Sequence, residues 1–210
     1  MPDHRTPILQ VQALSFGYPS HPLFQEWSAV IDSGVTVLRG GDGRGKTSLL
    51  RLLAGELPAQ GGDLQILDIS LRQQADNYRR QIFWADPDSD AFDQMTVSAY
   101  LASLRTRYPT FDDAALAALI SGLSLTAHMD KQLFMLSTGT RRKVWICAAF
   151  ACGAVLTLLD MPFAGLDKAS IQFVSGLLNQ VAEQTARAWV IAMYEKPQDI
   201  PMAALIDLGD

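Results

Sequence analysis

A glycine-rich segment that ends in a lysine and two hydroxyl residues has the composition of a phosphate-binding loop. Glycines let consecutive backbone N–H groups curl around phosphate oxygens, and a helix that starts there directs its positive end at the same anion. Lys46 would bring a positive charge to the β- and γ-phosphates, and Thr47 would offer a hydroxyl to Mg²⁺. The segment matches the Walker A pattern in full. It predicts nucleotide contacts at Gly40, Gly41, Asp42, Gly43, Arg44, Gly45, Lys46, Thr47 and Ser48.

A carboxylate at the end of a later apolar stretch completes the predicted site. Residues 156–159 are apolar apart from one threonine, and Asp160 follows them, which is the Walker B form. An acid at the carboxyl end of such a strand lies beside the phosphate loop and can hold Mg²⁺ through water. The two motifs predict a nucleotide and Mg²⁺ as ligands, with Thr47 and Asp160 as the metal-binding residues. They do not by themselves separate a kinase, a GTPase and a transport ATPase.

The elements that must position these residues alternate between strands and helices. The stretch 35–38 is rich in β-branched residues and predicts a short buried strand before the glycine loop, and 48–54 predicts a helix that Gly55 ends. Other predicted elements are strands over 8–16, 26–31, 64–67, 82–84, 155–159 and 189–193, and a helix over 170–183. The layout predicts one α/β domain over residues 1–210 with a parallel-sheet core.

A helical insertion is predicted between about residues 87 and 153, where the chain is rich in Ala and Leu. Its hydrophobic residues recur at helical rather than alternating spacing, and Leu116, Leu119 and Leu123 fall on one face of a helix. Thr110 and Asp113, just upstream, predict a capping box at the start of that helix.

The overall composition is that of a globular protein, with 49% hydrophobic residues. The net charge of −5 argues against a nucleic-acid-binding surface. Cys147 and Cys152 lie in an Ala-rich helical segment, which favours two buried apolar residues over a disulfide or a zinc site. Asp3, His4 and Pro7 interrupt any signal peptide, and no apolar run is long enough to span a bilayer. A cytoplasmic protein is therefore predicted.

Several short motifs in the second half of the chain indicate a particular family of nucleotide-binding proteins. Residues 136–140 (LSTGT) resemble the LSGGQ signature of ABC ATPases, and a basic run begins the helix that follows. Residues 164–167 (AGLD) are similar to the family's D-loop, which ends here at Asp167, and Tyr18 falls where the family stacks an aromatic ring on adenine. The motifs occur in the family's order and spacing over nearly the whole chain. The signature residues are Ser137, Thr138, Gly139 and Thr140.

The resemblance implies a P-loop NTPase fold, the ABC nucleotide-binding domain, with an antiparallel β subdomain and an inserted α-helical subdomain. It implies ATP and Mg²⁺ as cofactors and a head-to-tail dimer with a second cassette, in which Ser137 and Gly139 contact the partner's γ-phosphate. A separate transmembrane permease is implied as the other partner, which places the chain peripherally on the inner face of the cell membrane. The single compact cassette favours transport over DNA or ribosome functions, and is similar to the small ATP-binding subunit of haem exporters in cytochrome c maturation.

Three positions depart from the family pattern, and all three concern hydrolysis rather than binding. Met161 stands where the family has the glutamate that activates water, and a thioether has no useful basicity. Tyr194 replaces the switch histidine, and Asp86 replaces the Q-loop glutamine. We therefore expect a cassette that binds MgATP but hydrolyses it slowly, and that pairs with either an identical or a more competent subunit.

Two other interpretations stay open at this stage. The chain is an ordinary homodimeric ATPase if another acid, such as Glu195, serves as the base. Alternatively it is a nucleotide-dependent regulatory or assembly module without transport. Phe92, Tyr100 and Tyr108 either line a groove for a membrane partner or are ordinary core residues; the sequence favours neither.

Overall fold

The computed structural model describes residues 5–86 and 89–210, and these form two sheets flanked by helices. The strands are β1 (Pro7–Tyr18), β2 (His21–Asp32), β3 (Gly34–Arg39), β4 (Gly61–Ile66), β5 (Ile69–Ser70), β6 (Ile82–Trp84), β7 (Leu156–Asp160), β8 (Ala188–Met193) and β9 (Ala204–Asp207). The helices are α1 (Lys46–Leu53), α2 (Ala75–Arg80), α3 (Val97–Arg107), α4 (Asp113–Gly122), α5 (Thr138–Ala151) and α6 (Lys168–Ala182). Short 3₁₀ turns lie at Thr126–His128 and Leu133–Met135.

A five-stranded parallel sheet carries the ends at which the predicted site residues lie. Its order is β6-β7-β8-β3-β9, and the other sheet is antiparallel with the order β2-β1-β4-β5. The central strands β3, β7 and β8 are buried along almost their full length. Burial on both faces requires apolar residues at consecutive positions, which explains why these strands show no alternation in the sequence.

Contacts divide the chain into two compact units. The first unit is Met1–Trp84, Val155–Met161 and Leu178–Asp210, and it contains both sheets, α1 and α2. Its core lies between α1, the antiparallel sheet and one face of the parallel sheet, where Leu49, Leu50 and Leu53 are fully buried. Edge strand β2 begins at His21, earlier than the predicted start at residue 26, because pairing with β1 keeps its polar first half in the sheet. Strand β5 and helix α2 escaped prediction because each is short and without clear periodicity.

The second unit is Ala85–Ala154 with Pro162–Leu177, and its core is built from α3, α4 and α5. Tyr100 and Tyr108 are each 3% exposed, and the Tyr100 ring contacts the Trp145 ring at 5.0 Å between centroids. These two tyrosines are therefore core residues, whereas Phe92 is 39% exposed. The predicted core role of the cysteines agrees with the structure: both are buried, neither is in a disulfide, and burial raises the pKa of Cys147 to about 12.

The predicted capping box at the start of α4 is wrong. The N-cap is Asp112, whose side chain accepts a hydrogen bond from the Ala115 N–H at 2.9 Å. Thr110 instead donates to the Gly153 carbonyl at 3.1 Å, because the chain turns there against the end of α5. Asp113 pairs with Arg105 of α3.

Some of the sequence predictions fall outside the described residues. Asp3 and His4, which bear on the absence of a signal peptide, and Pro87, where the helical insertion is predicted to begin, are among them. In the described ranges 5–86 and 89–210, no helix combines the length and apolar character that crossing a membrane would require.

Candidate nucleotide-binding site

Three neighbouring strands of the parallel sheet deliver the site residues to one edge. Because β7, β8 and β3 are adjacent and parallel, their carboxyl ends lie side by side. Asp160 ends β7, Tyr194 follows β8, and the glycine loop follows β3. Ligands in open α/β sheets bind at this edge.

The glycine loop turns sharply into α1, and its backbone requires glycine at two positions. Gly43 and Gly45 have φ angles of 71° and 89°, which residues with a β-carbon rarely adopt. A β-carbon on Gly45 would lie 3.2 Å from Leu23 of β2, so the antiparallel sheet packs closely on the loop. Helix α1 begins at Lys46, directly after this turn. The loop therefore presents N–H groups at a helix N-terminus, as binding a phosphate requires.

The polar side chains of the loop converge on the carboxyl edge of the sheet. The Lys46 ammonium donates to the carbonyls of Gly40 and Gly41, each at 2.7 Å, and the residue is 8% exposed. The Thr47 hydroxyl donates to Asp160 Oδ2 at 2.5 Å. A hydroxyl and a carboxylate in contact are the hard oxygen donors that Mg²⁺ prefers, so these two residues fit the predicted metal.

Tyr18 lies at the end of β1, beside the first turn of α1. Its hydroxyl is 3.2 Å from the Ser48 hydroxyl, and 46% of the residue is exposed. A cavity of about 260 Å³ adjoins it, lined among others by His21, Gln25 and Gln60. An exposed ring next to the phosphate loop is free to stack on a planar base.

The two positions that the sequence predicts to be altered for hydrolysis are Met161 and Tyr194, which follow β7 and β8. The Met161 N–H donates to the Ala192 carbonyl at 3.0 Å, and its φ of 48° is unusual for a residue with a β-carbon. Tyr194 donates to Asp42 Oδ1 at 2.6 Å and lies over the Lys46 ammonium, 4.4 Å from ring centroid to nitrogen. The hydrogen bond to Asp42 and the charge of that carboxylate raise the pKa of Tyr194.

Two further candidates for hydrolysis are Asp86 and Glu195. Asp86 is half-buried and belongs to the second unit. Glu195 is exposed and directly follows Tyr194.

The signature and D-loop segments lie together within the second unit. Ser137 is the N-cap of α5, and its hydroxyl accepts a hydrogen bond from the Thr140 N–H at 3.2 Å. Gly139 packs so closely on the D-loop that a β-carbon there would lie 2.3 Å from the Gly165 carbonyl oxygen. Lys143 pairs with Asp167 at 2.7 Å.

Asp167 has a local structural role within this segment. It caps α6 by accepting a hydrogen bond from the Ser170 N–H at 2.8 Å. Its hydrogen bonds with Lys143 and Ser170 hold the pKa of its carboxyl well below the usual range. The Lys143–Asp167 ion pair and the close contact of Gly139 with Gly165 therefore hold helix α5 against the D-loop.

Sequence reasoning missed the hydrogen bond from Tyr194 to Asp42 and the contact of the Tyr194 ring with Lys46. The two residues of the hydrogen bond are 152 positions apart, so no local pattern reveals it. Only the order of β8 and β3 in the sheet brings them together.

Comparisons with known proteins agree on one family. A family model described as ABC transporter matches residues 28–164. The chain is 30% identical over 198 residues to a cytochrome c biogenesis ATP-binding export protein, CcmA 1, of Salmonella typhimurium, covering 94% of this chain and 93% of that protein.

Two solved structures show the same fold. One is described as an ATP-binding subunit of an ABC transporter (TM-score 0.78, 22% identity, covering 89% of this chain and 79% of that one). The other is an ABC transporter ATP-binding protein from Pyrococcus furiosus (TM-score 0.76, 20% identity, covering 95% and 96%). The predicted fold class, a P-loop NTPase domain with an added antiparallel sheet, is confirmed by these likenesses.

Proposed function

We propose a specific role for this chain, which belongs to the ABC transporter family as one of its ATP-binding subunits: it binds MgATP to drive a separate transmembrane subunit, and it hydrolyses the nucleotide slowly. We also propose that residues 1–210 form one nucleotide-binding domain, with a helical subdomain at about 87–153.

The observation that carries the binding half of the proposal is the contact of Thr47 with Asp160 beside the glycine loop. These oxygens would hold Mg²⁺, which neutralises phosphate charge when it is bound. Lys46 would bind the β- and γ-phosphates, because its ammonium is held at the mouth of the loop by two carbonyls. Tyr18 would stack on the adenine.

Slow hydrolysis follows from the side chains after β7 and β8. Met161 offers only a thioether where a carboxylate is needed to take a proton from water. The Tyr194 pKa is raised above the ordinary value of tyrosine, so the phenol stays protonated at neutral pH and cannot act as a base. General-base catalysis is worth roughly 10²–10⁴-fold, and a loss of that order is expected.

The second unit suits the other half of a paired site. We place Ser137, Thr138, Gly139 and Thr140 against the nucleotide of a second cassette in a head-to-tail dimer. The N-terminus of α5, capped by Ser137, would direct its dipole at the partner's γ-phosphate. A chain with a weak base and an intact signature would support hydrolysis better in its partner than in itself, which favours pairing with a competent subunit.

A membrane subunit is the partner that the relatives favour, since the matched protein is called an export protein. Phe92, Phe134 and Met135 form an exposed apolar surface in the second unit, with exposures of 39%, 53% and 58%. The segments that contain Phe92 and Phe134 are neighbours, because the Phe134 N–H donates to the Asp93 carbonyl at 3.2 Å. We assign this surface to a multi-span membrane subunit of an exporter, which places the chain at the inner face of the membrane.

Calorimetric titration with ATP tests the binding half. Wild-type chain should bind MgATP, and EDTA should weaken that binding. Asp160→Asn should bind ATP equally with and without Mg²⁺, because the carboxylate that holds the metal is gone, whereas the exposed control Asp130→Asn should behave as wild type. Wild-type chain that binds no adenine nucleotide would refute the proposed function.

Co-purification from solubilised membranes tests the partner. A multi-span membrane protein should accompany the wild-type chain and Val30→Glu, which changes an apolar residue of the first unit that is 54% exposed. It should be lost with Phe134→Glu. Soluble partners alone, unaffected by Phe134→Glu, would favour the regulatory or assembly module instead.

A further inference from the structure

Asp42 and Tyr194 meet across the mouth of the phosphate loop. Asp42 is the third residue of the loop that follows β3, and Tyr194 follows the neighbouring strand β8. The Tyr194 hydroxyl donates to Asp42 Oδ1 at 2.6 Å while its ring covers the Lys46 ammonium at 4.4 Å. One tyrosine therefore contacts both the carboxylate and the cation of the loop.

This arrangement sets up a competition for a single proton donor. A phenol has one O–H to donate, and a carboxylate and a phosphate are both charged acceptors of the strong kind. While the hydroxyl donates to Asp42, it does not donate to a terminal phosphate. The Asp42 carboxylate also places a negative charge at the loop, which disfavours the more highly charged nucleotide.

We propose that Asp42, by holding the Tyr194 hydroxyl and by its own charge, lowers the preference of this chain for ATP over ADP. The proposal rests on the proposed function, since it needs adenine nucleotides to bind at this loop. Asp42 thus acts as a specificity-determining residue through Tyr194: without it, the phenol becomes a donor to the γ-phosphate, which ADP lacks.

Two further charged groups lie near the Tyr194 side chain. The hydrogen bond to Asp42 is the main cause of the raised pKa of the phenol, and the charge of Asp160 adds to it. The Lys46 ammonium donates to the Gly40 and Gly41 carbonyls and lies 4.4 Å from the centre of the Tyr194 ring. The preference for ATP over ADP is therefore expected to respond to Asp42 and Tyr194 as a pair.

The experiment is a double-mutant cycle on the ratio of the dissociation constants of MgADP and MgATP, measured by calorimetry. Asp42→Ala, which removes both the acceptor and the charge, should raise this ratio by roughly tenfold, the typical worth of one hydrogen bond to a charged group. In a Tyr194→Phe background, which keeps the ring over Lys46 and removes the donor, the same change should raise the ratio by about threefold or less. Asp42→Asn keeps an oxygen to which the phenol can donate and should raise the ratio less than Asp42→Ala, and Asp76→Ala, an exposed change in α2, is the control.

The possible results distinguish a failure of this inference from a failure of the proposed function. A ratio that Asp42→Ala leaves unchanged, or an equal rise in both Tyr194 backgrounds, would overturn the proposal while leaving nucleotide binding intact. Absence of binding by either nucleotide in the wild-type chain would remove the proposed function and this inference with it.

Discussion

The phosphate loop and the segments after β7 and β8 lie at the same edge of one sheet, yet they differ in what they retain. The loop combines the residue types for binding a phosphate with the geometry for it, from the left-handed Gly43 and Gly45 to the Thr47–Asp160 contact. In the segment after β7, the Met161 N–H donates to the Ala192 carbonyl of β8. At the two positions that we propose would activate water, Met161 and Tyr194, the side chains are a thioether and a phenol.

In the proposed function, binding and hydrolysis depend on different parts of the architecture. Binding would use backbone N–H groups and Lys46 at the turn into α1, with Thr47 and Asp160 as the metal-binding pair. Hydrolysis would depend on two side chains that follow the ends of β7 and β8. A chain of this kind would lose the second property and keep its fold and the first.

Lys46→Ala should have the largest effect on nucleotide affinity and would break the binding side of the comparison. Affinity for MgATP should fall roughly 10²-fold, because a charge-assisted contact with the phosphates is lost. Calorimetry measures it, with Arg80→Ala on the exposed face of α2 as the matched loss of a positive charge. Unchanged affinity in a folded Lys46→Ala variant would show that the loop does not bind the phosphates.

A pair of glycine substitutions tests whether the signature segment also retains its geometry. Gly139→Ala should lower the free energy of unfolding by about 1–3 kcal/mol, because the added β-carbon would lie 2.3 Å from the Gly165 carbonyl oxygen. Gly176→Ala, in the interior of α6 with no atom within 4 Å of the new β-carbon, should raise it by about 0.5–1 kcal/mol. Urea denaturation gives both values. Equal effects at the two positions would contradict the close packing of the signature on the D-loop.

Met161→Gly has the smallest expected effect and sharpens the hydrolytic side of the comparison. Relief of the φ of 48° should raise the stability by up to about 1 kcal/mol, since a left-handed conformation costs a residue with a β-carbon about that much. The unfolding midpoint in urea measures it. A clear loss of stability would instead mean that packing of the Met161 side chain outweighs the backbone strain.

The part of the site that sequence reasoning predicted is the part encoded locally. The Walker A spacing needs only one turn and one helix start, and the end of an apolar strand gives Asp160. Helix and strand existence followed from periodicity where elements are long, whereas β5 and α2 are too short to show any. The cap of α4 was misassigned because Thr110 and Asp113 have the spacing of a capping box, whereas Thr110 bonds to the Gly153 carbonyl and Asp112 caps the helix.

The contacts that the sequence does not reveal depend on the order of the strands in the sheet. Tyr194 and Asp42 are neighbours because β8 lies between β7 and β3, and strand order in a parallel sheet is not written in any one segment. Tyr100 and Tyr108 were ambiguous for a related reason, since burial of an aromatic ring depends on the helices packed around it.

The most direct test of the account is the steady-state ATPase rate of the purified chain beside that of Met161→Glu, with Met161→Gln as a control of the same shape that is not a base. The account predicts a low rate for the wild type and for Met161→Gln, and a gain of roughly 10²–10⁴-fold for Met161→Glu. A high rate in the wild type, or no gain from the glutamate, would contradict it.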